Sequence, residues 1–176
     1  MAARATLVGW RRPAASDVRE LVSRFSDRRS GANLADAPEA WFRTQAEDAR
    51  KPIRTEWRSL LDAERFALGA PMAVQLDALR LALDDLDGAA DYPRTLAAWA
   101  SGDVRSYAER VRTMQHRYPA LSERMNTERN AALAARLDIV SHKVERQFVC
   151  VDLLHLVGPR SLPDELWSRG FRVHQR

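Results

Sequence analysis

"QFVCVDLLHLVGPRSLPDELWSRGFRV", residues 147–173, decides how this chain is read. Its first five residues, Gln147 to Val151, form an apolar run of the kind expected of a strand covered on both faces. Ser161 followed by Asp164 is a helix start, and Gly170 is a helix end. "FRVHQ" (Phe171 to Gln175) then reads as a second strand. Strand, short helix and strand make a crossover unit that favours parallel pairing. His155 falls just beyond the C-terminal end of the first strand, where binding crevices form in open α/β sheets.

Working back toward the N-terminus, the pattern becomes helical. Leu121, Met125, Leu133, Leu137 and Val140 are the apolar positions of a long helix that starts at Tyr118-Pro119. Asp103 caps a helix with Val104, Tyr107, Ala108, Val111 and Met114 inward. Leu96, Trp99 and Ala100 mark a helix ended by Gly102. Met72, Leu76, Leu79, Leu83 and Leu86 form the stripe of another, with Val74 and Leu81 off it. Gly69 stops a small helix containing Phe66. "KPIRTEW" (Lys51 to Trp57) alternates Ile53, Thr55 and Trp57 with Arg54 and Glu56, a short strand pattern. Pro38 opens a helix whose face carries Trp41, Phe42, Ala46 and Ala49. "SDRRSGAN" (Ser26 to Asn33) is a polar break after a helix over Asp17 to Phe25, where Asp17 and Glu20 form a capping-box pattern.

The chain has 176 residues, enough for one domain with a real core. Its 45% hydrophobic and 30% charged residues are a globular balance. No apolar run approaches the ~20 residues that cross a bilayer. The N-terminus shows no signal-peptide pattern, so the chain as given reads as cytoplasmic. Cys150 is the single cysteine. It forms no internal disulfide and no thiolate zinc cluster, and its apolar neighbours predict a small buried hydrophobe. The net charge is +4, but the arginines are dispersed among 24 acids. That describes solvated helix faces rather than a nucleic-acid surface.

Three places can carry chemistry. His155 offers an imidazole for metal ligation or proton transfer, with Asp152 three residues before it. From the residues alone, the reading as a structural histidine at a strand end comes first. Glu56 is a surface carboxylate or a site acid. Arg129, in "TERN" (Thr127 to Asn130), can grip a carboxylate or phosphate bidentately or tie its helix to a carbonyl. There is no Gly-rich phosphate loop, no G-x-S-x-G elbow and no H-E-x-x-H helix.

Together these pieces resemble the TraB/GumN family. The likeness is strongest in "TERNAALAARLDIV" (Thr127 to Val140) followed by the 147–173 stretch. Glu128, Arg129, Asn130, His155, Leu156, Gly158, Leu162, Leu166, Gly170, Phe171 and Val173 match the family's closing pattern. "KPIRTEW" and "LDALRLALDDLD … LAAWASGD" look like its middle, so the resemblance covers roughly residues 34 to 176. The family is similar to Tiki proteases and to ChaN-like and erythromycin-esterase-like proteins. It implies a metal-dependent hydrolase built on two Gly-x-x-His motifs with acidic residues. His155, Glu56 and Arg129 are then the catalytic candidates, and His155, Glu56 and Asp152 the ligands of a zinc, manganese or cobalt ion.

Two departures stand out. Asp152 occupies the place of the motif's glycine, and no first Gly-x-x-His strand precedes Arg12. Family members are often exported to the periplasm or envelope, yet this chain shows no export signal. The expectation is therefore a single domain over residues 1–176, the C-terminal portion of a TraB/GumN fold. It is α/β but mostly helical, with helices packed on a small sheet and the C-terminal strand-helix-strand unit. Half of the hydrolytic site is missing, so the chain is expected to be inactive alone and to pair with a second copy or with the missing N-terminal half. The competing reading is a non-catalytic helical scaffold that binds a protein partner.

Overall fold

The computed structural model describes residues 38–87 and 92–174, and these are helical. In chain order they form α1 (Pro38–Asp48), α2 (Leu60–Leu68), α3 (Met72–Asp87), α4 (Tyr92–Ser101) and α5 (Val104–Arg117). Then come α6 (Pro119–Ser122), a π turn (Glu123–Thr127) and α7 (Glu128–Ser141). A 3₁₀ turn (Leu153–His155) and α8 (Leu162–Trp167) close the chain. The helix expected over Asp17 to Phe25 and the break after it lie outside the described residues.

The local start and stop signals act as the sequence predicts. Asp103 Oδ1 accepts from the Ser106 N–H at 3.2 Å, capping α5. Ser161 and Asp164 form a reciprocal capping box on α8, and Gly170 follows it with φ of +88°. Pro119 stands in the first turn of α6, where a missing N–H costs nothing. Gly102, at φ +69°, ends the α4 segment.

The predicted sheet is not there. Among the described residues no strand is present, so the α/β assignment with its strand-helix-strand unit is corrected to an all-helical arrangement. Ile53 to Trp57, Phe148 to Val151 and Phe171 to Val173 are irregular segments outside any helix. The reason is that a strand exists only as part of a hydrogen-bonded ladder. An apolar or alternating run supplies the side chains but not the neighbour. Phe148 is 71% exposed, and Cys150 is exposed rather than buried.

The core lies where α3, α5 and α6 meet. Ala70, Val74, Met114, Tyr118 and Leu121 are its buried residues, with Ala78, Leu81, Ala120 and Met125 packed against them. The face of α3 is the reverse of the expected one. Met72, Leu76 and Leu83 are exposed, while Val74, Asp77 and Ala82 are buried. Asp77 explains this. Its Oδ2 accepts from the Ala120 and Leu121 N–H groups at 3.2 and 3.4 Å, so a carboxylate of α3 satisfies free donors at the start of α6. Two turns farther along the same face, Asp84 accepts from the Tyr118 hydroxyl and pairs with Arg117 at 2.8 Å.

The π turn sets the register of the spine, residues 119–141. Ser122, Asn126, Asn130 and Ala134 are all buried, at strict four-residue spacing. Twelve residues of pure α-helix would carry the last of them about 120° past the first. One extra residue in an i→i+5 turn gives back about 100° of this. The turn therefore keeps a single buried stripe from Ser122 to Ala134 and delivers Asn130 onto it.

Candidate functional site

Two consecutive residues at the start of α7 reach in different directions. Arg129 donates from Nε to Glu56 Oε1 at 2.9 Å and from Nη2 to Glu56 Oε2 at 2.6 Å. This is a side-on bidentate pair, the geometry for which a planar guanidinium is suited. Its Nη1 donates to the Met125 carbonyl at 3.3 Å, which holds the fork in place. One heptad along α7, Arg136 donates to the Glu56 and Thr55 carbonyls at 2.7 and 3.0 Å. Arg129 holds the side chain of Glu56 and Arg136 holds its backbone. Arg124 extends the grip, lying over the Phe66 ring at 4.1 Å and donating to the Phe66 carbonyl at 3.1 Å. Trp57 packs on Phe66, with ring centroids 4.9 Å apart. Glu56 thus stands in an irregular segment that two arginines of the spine pin down, with a third holding the helix that follows, not in a strand.

Asn130 turns the other way. Its Nδ2 donates to the Arg160 carbonyl at 2.8 Å, and its Oδ1 lies 2.7 Å from Nδ1 of His155. The first bond fixes the amide orientation, since only the NH₂ can donate to a carbonyl. Oδ1 must then accept from His155, so Nδ1 carries the proton and Nε2 carries the lone pair. His155 is 8% exposed. It ends the 3₁₀ turn that Asp152 opens by accepting the Leu154 N–H on Oδ1 at 2.8 Å. Gly158, at φ +82°, brings the segment after His155 against α5. A Cβ there would lie 2.6 Å from Val111 Cγ1.

The electrostatics agree with this arrangement. Burial lowers the His155 pKa from its ordinary 6.5, and the nearby Arg129 guanidinium lowers it further; Asp152 and Glu56 oppose them. His155 is a neutral imidazole at pH 7. Glu56 is held below its ordinary 4.5 chiefly by its hydrogen bonds from Arg129, against the cost of burial. It stays a carboxylate.

Of the residues singled out from sequence, Glu56 and Arg129 are directly paired, and both lie within electrostatic reach of His155. Asp152 acts on the imidazole too, but one of its oxygens serves as a turn cap. These residues come from a helix, an irregular segment and a 3₁₀ turn rather than from a sheet end. Asn130 and Arg136 escaped the sequence reading as site residues. Asn130 stood inside the quoted "TERN", and Arg136 lies seven residues after Arg129 on the same helical face.

A divalent metal tests poorly against this donor set. Both Glu56 oxygens hold Arg129, and Asp152 Oδ1 holds Leu154. Among the described residues no three His, Cys, Asp or Glu side chains converge. Nε2 of His155 is the one donor shaped for a metal, and a catalytic zinc takes about three protein ligands. A cleft of about 220 Å³ beside Ser122, Thr127 and Arg160 does not include His155, Glu56 or Arg129. No helix among the described residues is long and apolar enough to cross a membrane. No match was found among curated proteins or among solved structures. The sequence profile of the TraB/PrgY/gumN family matches residues 13–175.

Proposed function

From the chain's membership of the TraB/PrgY/gumN family over residues 13–175, we propose that His155, Glu56 and Arg129 are part of a hydrolytic centre. Asn130 is the residue that orients the imidazole. The observation that carries this reading is the lone pair of His155 on Nε2, fixed by the Asn130 amide and kept free of a proton by burial. A neutral, oriented imidazole is what both a proton acceptor for water and a metal ligand require. Arg129 keeps Glu56 ionised beside it, and Glu56 stabilises the imidazolium formed when Nε2 takes a proton.

These residues are too few to bind a zinc, manganese or cobalt ion tightly, and the centre they belong to draws its other ligands from elsewhere. Taken alone they do not hydrolyse a substrate. Calorimetric titration of the chain with zinc and with manganese, beside His155→Ala, tests this. The expected result is weak binding, further weakened in the variant. Tight stoichiometric binding that the substitution abolishes would show a complete metal centre and contradict the reading. Binding unaffected by the substitution would remove His155 from the ligand set.

A second reading rests on the Glu56–Arg129 pair itself. With both oxygens committed, Glu56 acts as a strut that fastens residues 51–59 to the spine, which suits a non-catalytic scaffold.

A further inference from the structure

The segment from Arg146 to Asp152 is an exposed, largely apolar stretch whose backbone groups are engaged only at its end, where the Asp152 carbonyl accepts the His155 N–H at 3.0 Å. It contains no helix, turn or bend. Residues 146–150 are all exposed, Phe148 at 71%. Phe148 is not isolated. Its ring lies 4.5 Å from that of Phe42, which in turn meets Trp41 at 5.0 Å, and Trp41 is itself 60% exposed. A β-prone, unbent run with open N–H and C=O groups is a template for pairing with another chain.

The charges flanking this run identify the chain that fits it. Align the segment antiparallel to itself, centred on Val149. Arg146 then stands opposite Asp152, Gln147 opposite Val151, and Phe148 opposite Cys150. The two-fold axis repeats each pair, so one register yields two Arg–Asp pairs and opposes no like charges. Asp152 is available for this, because the bond to Leu154 uses only its Oδ1. A two-fold axis normal to the paired segments also keeps the two Trp41–Phe42–Phe148 clusters on one face.

We propose that this surface binds a second copy of the chain, through antiparallel pairing of residues 146–152 about Val149. The inference is independent of the hydrolytic reading. A two-fold contact is self-complementary by construction, and a patch that carries its own countercharges satisfies that condition.

The test is light scattering over a concentration series, combined with oxidative cross-linking. Wild type is expected to move from monomer to dimer as concentration rises. In this register Val149 faces Val149, within disulfide reach, whereas the two Cys150 positions are diagonal and about 7–8 Å apart. Val149→Cys in a Cys150→Ser background should therefore form a covalent dimer, and wild-type Cys150 should not. Arg146→Asp should raise the dissociation constant by roughly three- to tenfold, and adding Asp152→Arg should restore it. The proposal is overturned by a monomer at every concentration, or by Cys150 cross-linking faster than Cys at 149. A monomer whose 147–151 amides resist hydrogen exchange would assign the surface to another part of the same chain and overturn it equally.

Discussion

Asn130 commits both ends of its amide, one to the Arg160 carbonyl and one to His155. That choice makes a buried histidine a defined tautomer instead of a mixture. The cost appears on acidification. The folded-state pKa of His155 lies below its ordinary 6.5, so the unfolded chain takes up the proton first. Stability is then independent of this group above pH 6.5 and falls as pH drops from there toward the folded value. Glu56 shifts in the same direction, for a different reason and in a lower pH window. Its contribution is complete above its ordinary 4.5 and is lost as pH falls through its depressed folded value. Urea midpoints measured from pH 8 to pH 4 should decline below 6.5 in wild type. His155→Gln should remove the part of that decline lying above pH 4.5. An unchanged slope in the variant would mean that His155 is not buried neutral.

At the scale of elements, Gly158 decides how the His155 segment seats on α5. It holds φ at +82°, and any Cβ would stand 2.6 Å from Val111, a side chain 1% exposed. Gly158→Ala should cost about 2–3 kcal/mol, combining backbone strain with overpacking. Adding Val111→Ala should recover part of the overpacking, so the two changes should be less than additive in thermal unfolding. Full additivity would show that the close approach is absent.

The elements also separate what could be read from sequence from what could not. Asp103, Pro119, Ser161 and Gly170 act on bonds within one turn of themselves, and so their roles were legible. The face of α3 was not, because Asp77 is turned inward by the start of α6, 43 residues farther along. The π turn left no local mark. Without it, Met125 and Leu133 predict a stripe that would swallow Arg129, whereas the extra residue puts Asn130 there. The strands failed for a related reason. Phe148 to Val151 has strand composition, but composition does not supply the neighbour that makes a ladder.

For the molecule as a whole, the spine from Pro119 to Ser141 joins two sides. Arg124, Arg129 and Arg136 hold the 51–66 region, while Asn130 holds the 153–160 turn. Glu56 and His155, about a hundred residues apart in sequence, come within electrostatic reach of each other because successive residues of one helix hold each of them. "TERN" singled out Arg129 but gave no role to Asn130, its neighbour. Their division of labour depended on the register set by the π turn and could not be read from the letters. The central claim is that this junction presents His155 as a neutral imidazole with its lone pair on Nε2. Nitrogen-15 NMR of histidine-labelled protein, titrated with pH, tests it most directly. The account predicts an Nδ1–H tautomer for His155 at pH 7 with a pKa below 6.5, raised by Asn130→Asp, which places a carboxylate against Nδ1. An Nε2–H tautomer, or a wild-type pKa at or above 6.5, would contradict it.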